Sequence, residues 1–78
     1  NGESEVIEAQ ILDSSDLINK ELKNAELPDD IRIGSIMREN EFIKPSSNYV
    51  FQKNDIIVLL SKRDQLPTVE NLFRISSI

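Results

Sequence analysis

Apolar and polar positions alternate in short blocks along this chain, and the blocks predict strands more often than helices. The block that organises the rest is Asp55–Ser61, in which Ile56, Ile57, Val58, Leu59 and Leu60 run without a polar break. It lies between the turn signal Lys53-Asn54 and the charged run Lys62-Arg63-Asp64. So short an apolar run, rich in β-branched residues, predicts a central strand buried on both faces rather than a helix. Upstream, Glu5–Leu12 places Ile7, Ala9 and Ile11 on one side and Glu8 and Gln10 on the other, the period of a half-buried strand. Asp13-Ser14-Ser15-Asp16 supplies turn and cap residues, and a short helix is expected from Lys20 to Ala25 with Leu22 and Ala25 facing inward. Leu27-Pro28 ends it, because a residue before proline is pushed out of the α region.

The next block, Ile31–Arg38, has apolar residues on both sides. Strict alternation puts Ile31, Ile33 and Met37 on one face and Ile36 on the other, with Gly34 marking a close backbone approach. Glu39-Asn40 is a two-residue hairpin signal, and Glu41–Lys44 returns as the antiparallel partner. After the loop Pro45–Asn48, Tyr49–Phe51 reads as a short edge strand. The last element is helical: Asp64 is its cap, Pro67 sits in the first turn, and Leu66, Val69, Leu72 and Phe73 recur at helical spacing. Arg74 complements the macrodipole at its end, and Ile75 to Ile78 reads as a tail or short terminal extension. The expected fold is α+β, a small mixed but mainly antiparallel sheet with two short helices packed on it. Residues 5–78 form one domain, and residues 1–4 read as a linker or an artificial remnant, so the domain is expected to be cut from a longer protein.

Composition narrows the chemistry. A chain of 78 residues buries only about 60–65% of its unfolded surface, and a partner covering one face would help it. It has no cysteine and no histidine, which removes disulfides, the usual zinc ligands and the commonest catalytic bases and nucleophiles. Its only glycines are Gly2 and Gly34, so no glycine-rich phosphate loop exists. The acidic groups Asp13/Asp16 and Asp29-Asp30 lie in turns, where such residues act as caps and solubilising groups; a metal site needs more converging oxygens than this spacing guarantees. No enzyme is expected. The net charge of -5, with fourteen acidic residues against nine scattered basic ones, argues against nucleic acid. No apolar run approaches the ~20 residues of a membrane span, and no signal pattern opens the sequence, so the piece is expected to be soluble and cytoplasmic.

Asn19, Asn40 and Asn54 each stand where a turn needs positive φ, which Asn tolerates best after Gly. Together with Leu17-Ile18-Asn19-Lys20, Leu22, Leu27-Pro28, Ile33–Arg38, Pro45, Asn54-Asp55, Ile56–Leu60 and Val69–Phe73, they make the chain resemble the TrkA-C (RCK-C) domain over about residues 5 to 74. That family commonly has glycine at the three asparagine positions, so the departures keep the backbone requirement. The resemblance implies a cytosolic regulatory and assembly domain of a bacterial potassium uptake system of the Trk type. It would be peripheral to the inner membrane through a transporter subunit and would pair as a homodimer. It also implies that any NAD or ATP binds neighbouring Rossmann-like domains, with no cofactor in this fragment, and that some relatives bind a nucleotide-like effector such as cyclic di-AMP between two copies.

On this resemblance Arg38 is the candidate ligand-binding residue, a guanidinium suited to phosphate oxygens across a dimer. The simpler reading, favoured here, is that Arg38 flanks the hairpin and pairs with Glu39 or Glu41 at the surface. Ile33 and Ile36 are candidate dimer-interface residues, because apolar side chains on both faces of Ile31–Arg38 leave one face for a partner. As a pocket lining, the same residues and Pro45 are better explained as core.

Overall fold

The computed structural model describes residues 4–73. Four strands, β1 (Ser4–Gln10), β2 (Ile31–Arg38), β3 (Glu41–Ile43) and β4 (Ile56–Lys62), form one sheet in the order β1-β4-β2-β3. Every neighbouring pair is antiparallel. A single helix, α1 (Leu66–Phe73), follows β4 through a 3-10 turn at Arg63–Gln65 and packs on one face of the sheet through Val69 and Phe73. The α+β class and the antiparallel sheet are as the sequence patterning predicts. No helix among the described residues is long and apolar enough to cross a membrane.

Two elements are lighter than expected. The segment Lys20–Ala25 holds only a 3-10 turn, Leu22–Asn24, so α1 is the one α-helix among the described residues. Its backbone is claimed by another strand of chain: Leu22 N–H donates to Tyr49 C=O at 2.7 Å and Lys23 N–H to Ser47 C=O at 3.0 Å. Tyr49–Phe51, expected as an edge strand, is instead the other half of this ribbon, with a single bridge between Glu21 and Val50 and no pairing to the sheet. The ribbon packs Leu17, Ala25, Tyr49 and Phe51 onto the same core as the sheet. Asp64 lies inside the 3-10 turn rather than at the cap of α1, while Pro67 does fall in the first turn of the helix. Arg74 and residues 75–78 lie outside the described residues.

β4 is the central strand, between β1 and β2, but it is buried on one face rather than two. Ile57, Leu59 and Ser61 are buried, whereas Ile56 and Val58 are half-buried and Leu60 is 40% exposed. The reason is that α1 and the ribbon cover only one side. Val6, Leu60 and Phe42 all lie on the other side, Val6 opposite Leu60 in the ladder, and Phe42 opposite Met37, itself opposite Ile56. These three are the exposed large hydrophobics among the described residues, Val6 at 73% and Phe42 at 74%.

A β-bulge in β2 reassigns its faces. The register with β4 runs Ile33↔Leu59 and then Ser35↔Val58, leaving Gly34 without a partner. One extra residue reverses the alternation beyond it, so Ile36 joins Ile31 and Ile33 on the core side and Met37 turns to the open side. Strict alternation had placed Ile36 opposite the other isoleucines; it is in fact fully buried in the domain's own core. A Cβ at Gly34 would meet Val58 C=O at 3.5 Å, an ordinary contact, so the glycine serves the bulge and no unusually close approach.

Candidate functional site

The most structured polar cluster forms where the end of β2 meets the start of β4. Met37 pairs with Ile56, which brings Arg38, the last residue of β2, beside Asp55, the residue before β4. Asp55 is positioned by its turn. Asn54 takes φ 73° and its N–H donates to Ile11 C=O at 2.8 Å, while Ile11 N–H returns to Asp55 C=O at 2.9 Å. The Asp55 carboxylate then closes the turn on itself by accepting Gln52 N–H at Oδ2, 2.9 Å.

That carboxylate is 1% exposed, so its charge has to be met inside the protein. Arg38 meets it with a two-point grip, Nε to Oδ1 at 2.8 Å and Nη2 to Oδ2 at 2.9 Å. The Tyr49 hydroxyl donates to Oδ2, and Arg38 Nη2 also reaches Tyr49 Oη and Val50 C=O, each at 3.0 Å. The guanidinium carbon lies 5.3 Å from the Tyr49 ring centroid, within cation–π range. The hydrogen bond to Asp55 raises the Arg38 pKa above its usual value; burial opposes this, and the charges of Asp55 and Glu39 add to it. From Tyr49 the cluster runs into the core through edge-to-face ring contacts, Tyr49 to Phe51 at 5.3 Å and Phe51 to Phe73 at 6.3 Å.

Chemically this is a clasp. The carboxylate and the hydroxyl are both spent on fixed partners, and the arrangement ties the ribbon to β2 and β4. The outer side of Arg38 is different. Its side chain is 36% exposed, and Nη1 makes no hydrogen bond to any described residue. It borders an open depression of about 420 Å³ lined by Arg38, Glu39, Gln52, Lys53, Asn54 and Asp55. Two cations and two anions line it, so its charge is balanced.

Arg38 therefore does not make the surface pair with Glu39 or Glu41 that the sequence favours; its partner is Asp55, seventeen residues on. Asp55 and Tyr49 were expected only as strand residues and not as partners of Arg38. A lone acid at the head of an apolar run, directly after a positive-φ asparagine, is the one sequence signal that could have pointed to Asp55. Asn19, Asn40 and Asn54 do adopt φ of 71°, 67° and 73° and shape the turns around the ribbon, the hairpin and the site. Ile33 and Ile36 lie on the core side with Ile31, and Pro45 is half-buried after β3. The acidic turns are solvated: Asp13 pairs with Lys53 at 3.8 Å and Asp30 with Lys62 at 3.7 Å.

A one-helix layer on an antiparallel sheet, closed by an ion-pair clasp where β2 meets β4, defines a small α+β domain whose best-ordered polar cluster holds its own elements together. The sequence agrees: the model of the TrkA-C domain family matches residues 6–74, and the chain belongs to that family. It is 36% identical over 76 residues, 97% of its length, to the Trk system potassium uptake protein TrkA of Azorhizobium caulinodans. It is 34% identical over 58 residues to a TrkA homolog of Archaeoglobus fulgidus, and 32% over 56 residues to the K(+)/H(+) antiporter NhaP2 of Shewanella oneidensis. These stretches are 74% and 72% of the chain. The chain spans only 17%, 13% and 10% of those relatives, so it corresponds to one domain of proteins several times longer. Among solved structures it superposes on an RCK domain determined with cda, TM-score 0.73 at 23% identity, covering 87% of this chain and 96% of that one. At that identity the likeness carries the fold.

Proposed function

We propose that this domain is a cytosolic regulatory and assembly unit of a bacterial potassium uptake system of the Trk type, acting by dimerisation and by contacts to neighbouring subunits. It works at the inner membrane through a transporter subunit, and any NAD or ATP is held by Rossmann-like domains elsewhere in the protein. The observation that carries this reading is that the exposed large hydrophobics Val6, Leu60 and Phe42 all fall on the uncovered sheet face, with half-buried Val58, Ile56 and Met37 between them. Large apolar side chains left open on one face are what a contact surface needs. Family membership and similarity to Trk uptake proteins support the transport setting and a non-catalytic role. The test is potassium uptake by cells that depend on the full-length protein. Phe42→Glu with Leu60→Glu lowers uptake while the purified domain keeps its thermal unfolding midpoint; unchanged uptake overturns the reading.

A second reading is favoured by Arg38 Nη1 at the rim of the open depression. Here the domain senses a nucleotide-like effector such as cyclic di-AMP at the dimer interface and shifts the transporter between states, by no more than the effector's preference for one of them. The RCK domain determined with cda supports this assignment by analogy of fold. Calorimetry of the domain against cyclic di-AMP, ATP and NADH distinguishes the readings. Binding of the cyclic dinucleotide alone, one per dimer, supports sensing, and no heat from any of the three rejects it.

A further inference from the structure

The apolar side chains on the open face of the sheet follow a diagonal. In the ladders Val6 stands opposite Leu60, Ile56 opposite Met37, and Met37 opposite Phe42, with Val58 between Leu60 and Ile56 along β4. These six side chains make a band that starts on β1, follows β4, crosses β2 and ends on β3. The polar residues of the face lie off the band, on its two sides. Glu8 and Gln10 on β1, opposite Val58 and Ile56, fill one corner, and Arg32 on β2, opposite Leu60, stands in the other. Glu8 and Arg32 are both exposed, and neither side chain makes a hydrogen bond or ion pair with a described residue. Lys62, a second cation on this face, is already paired with Asp30 at 3.7 Å.

The dimensions of the band are those of one helix. Strand spacing and rise per residue make it about 20 Å from Val6 to Phe42, the length of about 13 helical residues. By the same measure Glu8 and Arg32 stand about 12 Å apart across it, about the width of a helix with its side chains. The backbone beneath is engaged in ladder hydrogen bonds, so whatever lies on this face must satisfy its own N–H and C=O groups. A helix does so, and an extended segment laid on a sheet face does not. Helices covering both faces of a sheet are also a stable layer arrangement, and here α1 covers only one.

We propose that this band seats an amphipathic helix supplied by a part of the full-length protein outside this domain, with a basic side chain toward Glu8 and an acidic one toward Arg32. The inference rests on the contact surface proposed above and names what covers it. The helix lays an apolar stripe of i, i+3, i+4 and i+7 positions along the band. The opposite charge order would set like charges together at both rims, so Glu8 and Arg32 fix the direction in which the helix lies. The curated relatives are several times longer than this chain, which leaves most of their length to supply it.

Val6 and Phe42, at the two ends of the band, are 73% and 74% exposed, so a photoreactive side chain at either leaves the core untouched. Val6→p-benzoylphenylalanine and Phe42→p-benzoylphenylalanine are introduced singly into the full-length protein. After irradiation the joined peptides are identified by mass spectrometry. Both positions are expected to join one apolar-striped segment outside residues 1–78, at sites roughly 13 residues apart. Glu8→Lys and Arg32→Glu are each expected to lower the yield about two- to fivefold, the weight of one exposed charge pair. Cross-links to a second copy of residues 1–78, or to sites spaced for an extended segment, overturn the helix and leave the contact surface standing. No cross-link from either end overturns both. Yields unchanged by both charge variants overturn the assigned direction of the helix.

Discussion

Arg38 holds Asp55 by two parallel bonds, Nε to Oδ1 at 2.8 Å and Nη2 to Oδ2 at 2.9 Å, and the aspartate is the buried member of the pair. The asymmetry fixes what each substitution does. Arg38→Ala leaves a carboxylate inside the protein with only Tyr49 and the Gln52 N–H to answer it. The expected cost is about 3 kcal/mol, near the low end for a broken buried pair because Arg38 is partly solvated. The double variant Arg38→Met/Asp55→Leu, which removes both charges, is expected to lose less than Arg38→Ala alone. Urea unfolding of the three proteins checks this, and a double variant less stable than the single would contradict the clasp.

The turns offer a test at the level of the backbone. Glu39 and Asn40 have φ of 51° and 67°, both positive, as a type I′ hairpin requires. Asn40→Ala is expected to cost about 1 kcal/mol, because a Cβ without a local hydrogen-bonding group is disfavoured in that region, and Asn40→Gly about nothing. Glu26 is the informative contrast. It takes φ 54° in the loop before Leu27-Pro28, with none of the advantage asparagine has there. Glu26→Gly is therefore expected to raise stability by about 0.5 kcal/mol, the relief of strain exceeding the added freedom of the unfolded chain. Thermal unfolding of the variants reads both effects.

Much of the fold was legible because its strands obey the period of two. β2 carries the bounds expected for it, and the hairpin falls on Glu39-Asn40. What was not legible came from contacts between segments distant in sequence. The helix expected at Lys20–Ala25 yields to hydrogen bonds donated by Leu22 and Lys23 N–H to the carbonyls of Tyr49 and Ser47, and propensity over six residues is too weak to resist them. The bulge at Gly34 breaks the alternation at one residue and so misassigns every side chain after it, Ile36 and Met37 included. The site was half legible. Arg38 stood out by family resemblance, but its partner lies on another strand, and no local spacing links residues 38 and 55.

Ser15 shows how a hydroxyl in a turn can serve a helix far away. Its Oγ donates to Leu72 C=O at 3.0 Å, capping a carbonyl in the last turn of α1, and accepts Leu17 N–H at 3.2 Å. Ser15 is buried, so Ser15→Ala strands both groups away from water. A loss of about 1–2 kcal/mol is expected, with amide exchange in the last turn of α1 accelerating more than exchange in β4. Uniform acceleration across the domain would show that the bond does not act on the helix in particular.

The bulge in β2 predicts opposite outcomes for two neighbouring apolar positions. Ile36 is fully buried and faces α1 and the ribbon, so Ile36→Asp places a charge in the core with no partner and is expected to unfold the domain. Ile36→Ala, which only removes volume, is expected to cost about 2–4 kcal/mol. Phe42 is on the open face and 74% exposed, so Phe42→Asp is expected to shift stability by less than about 0.5 kcal/mol. Without the bulge the roles would reverse in part: Ile36 would join the open face, and its charged variant would remain folded. Circular dichroism and urea unfolding of the three variants decide between the two geometries. A folded Ile36→Asp domain would mean that the chain keeps strict alternation through Gly34, and that the surface offered to partners includes Ile36 after all.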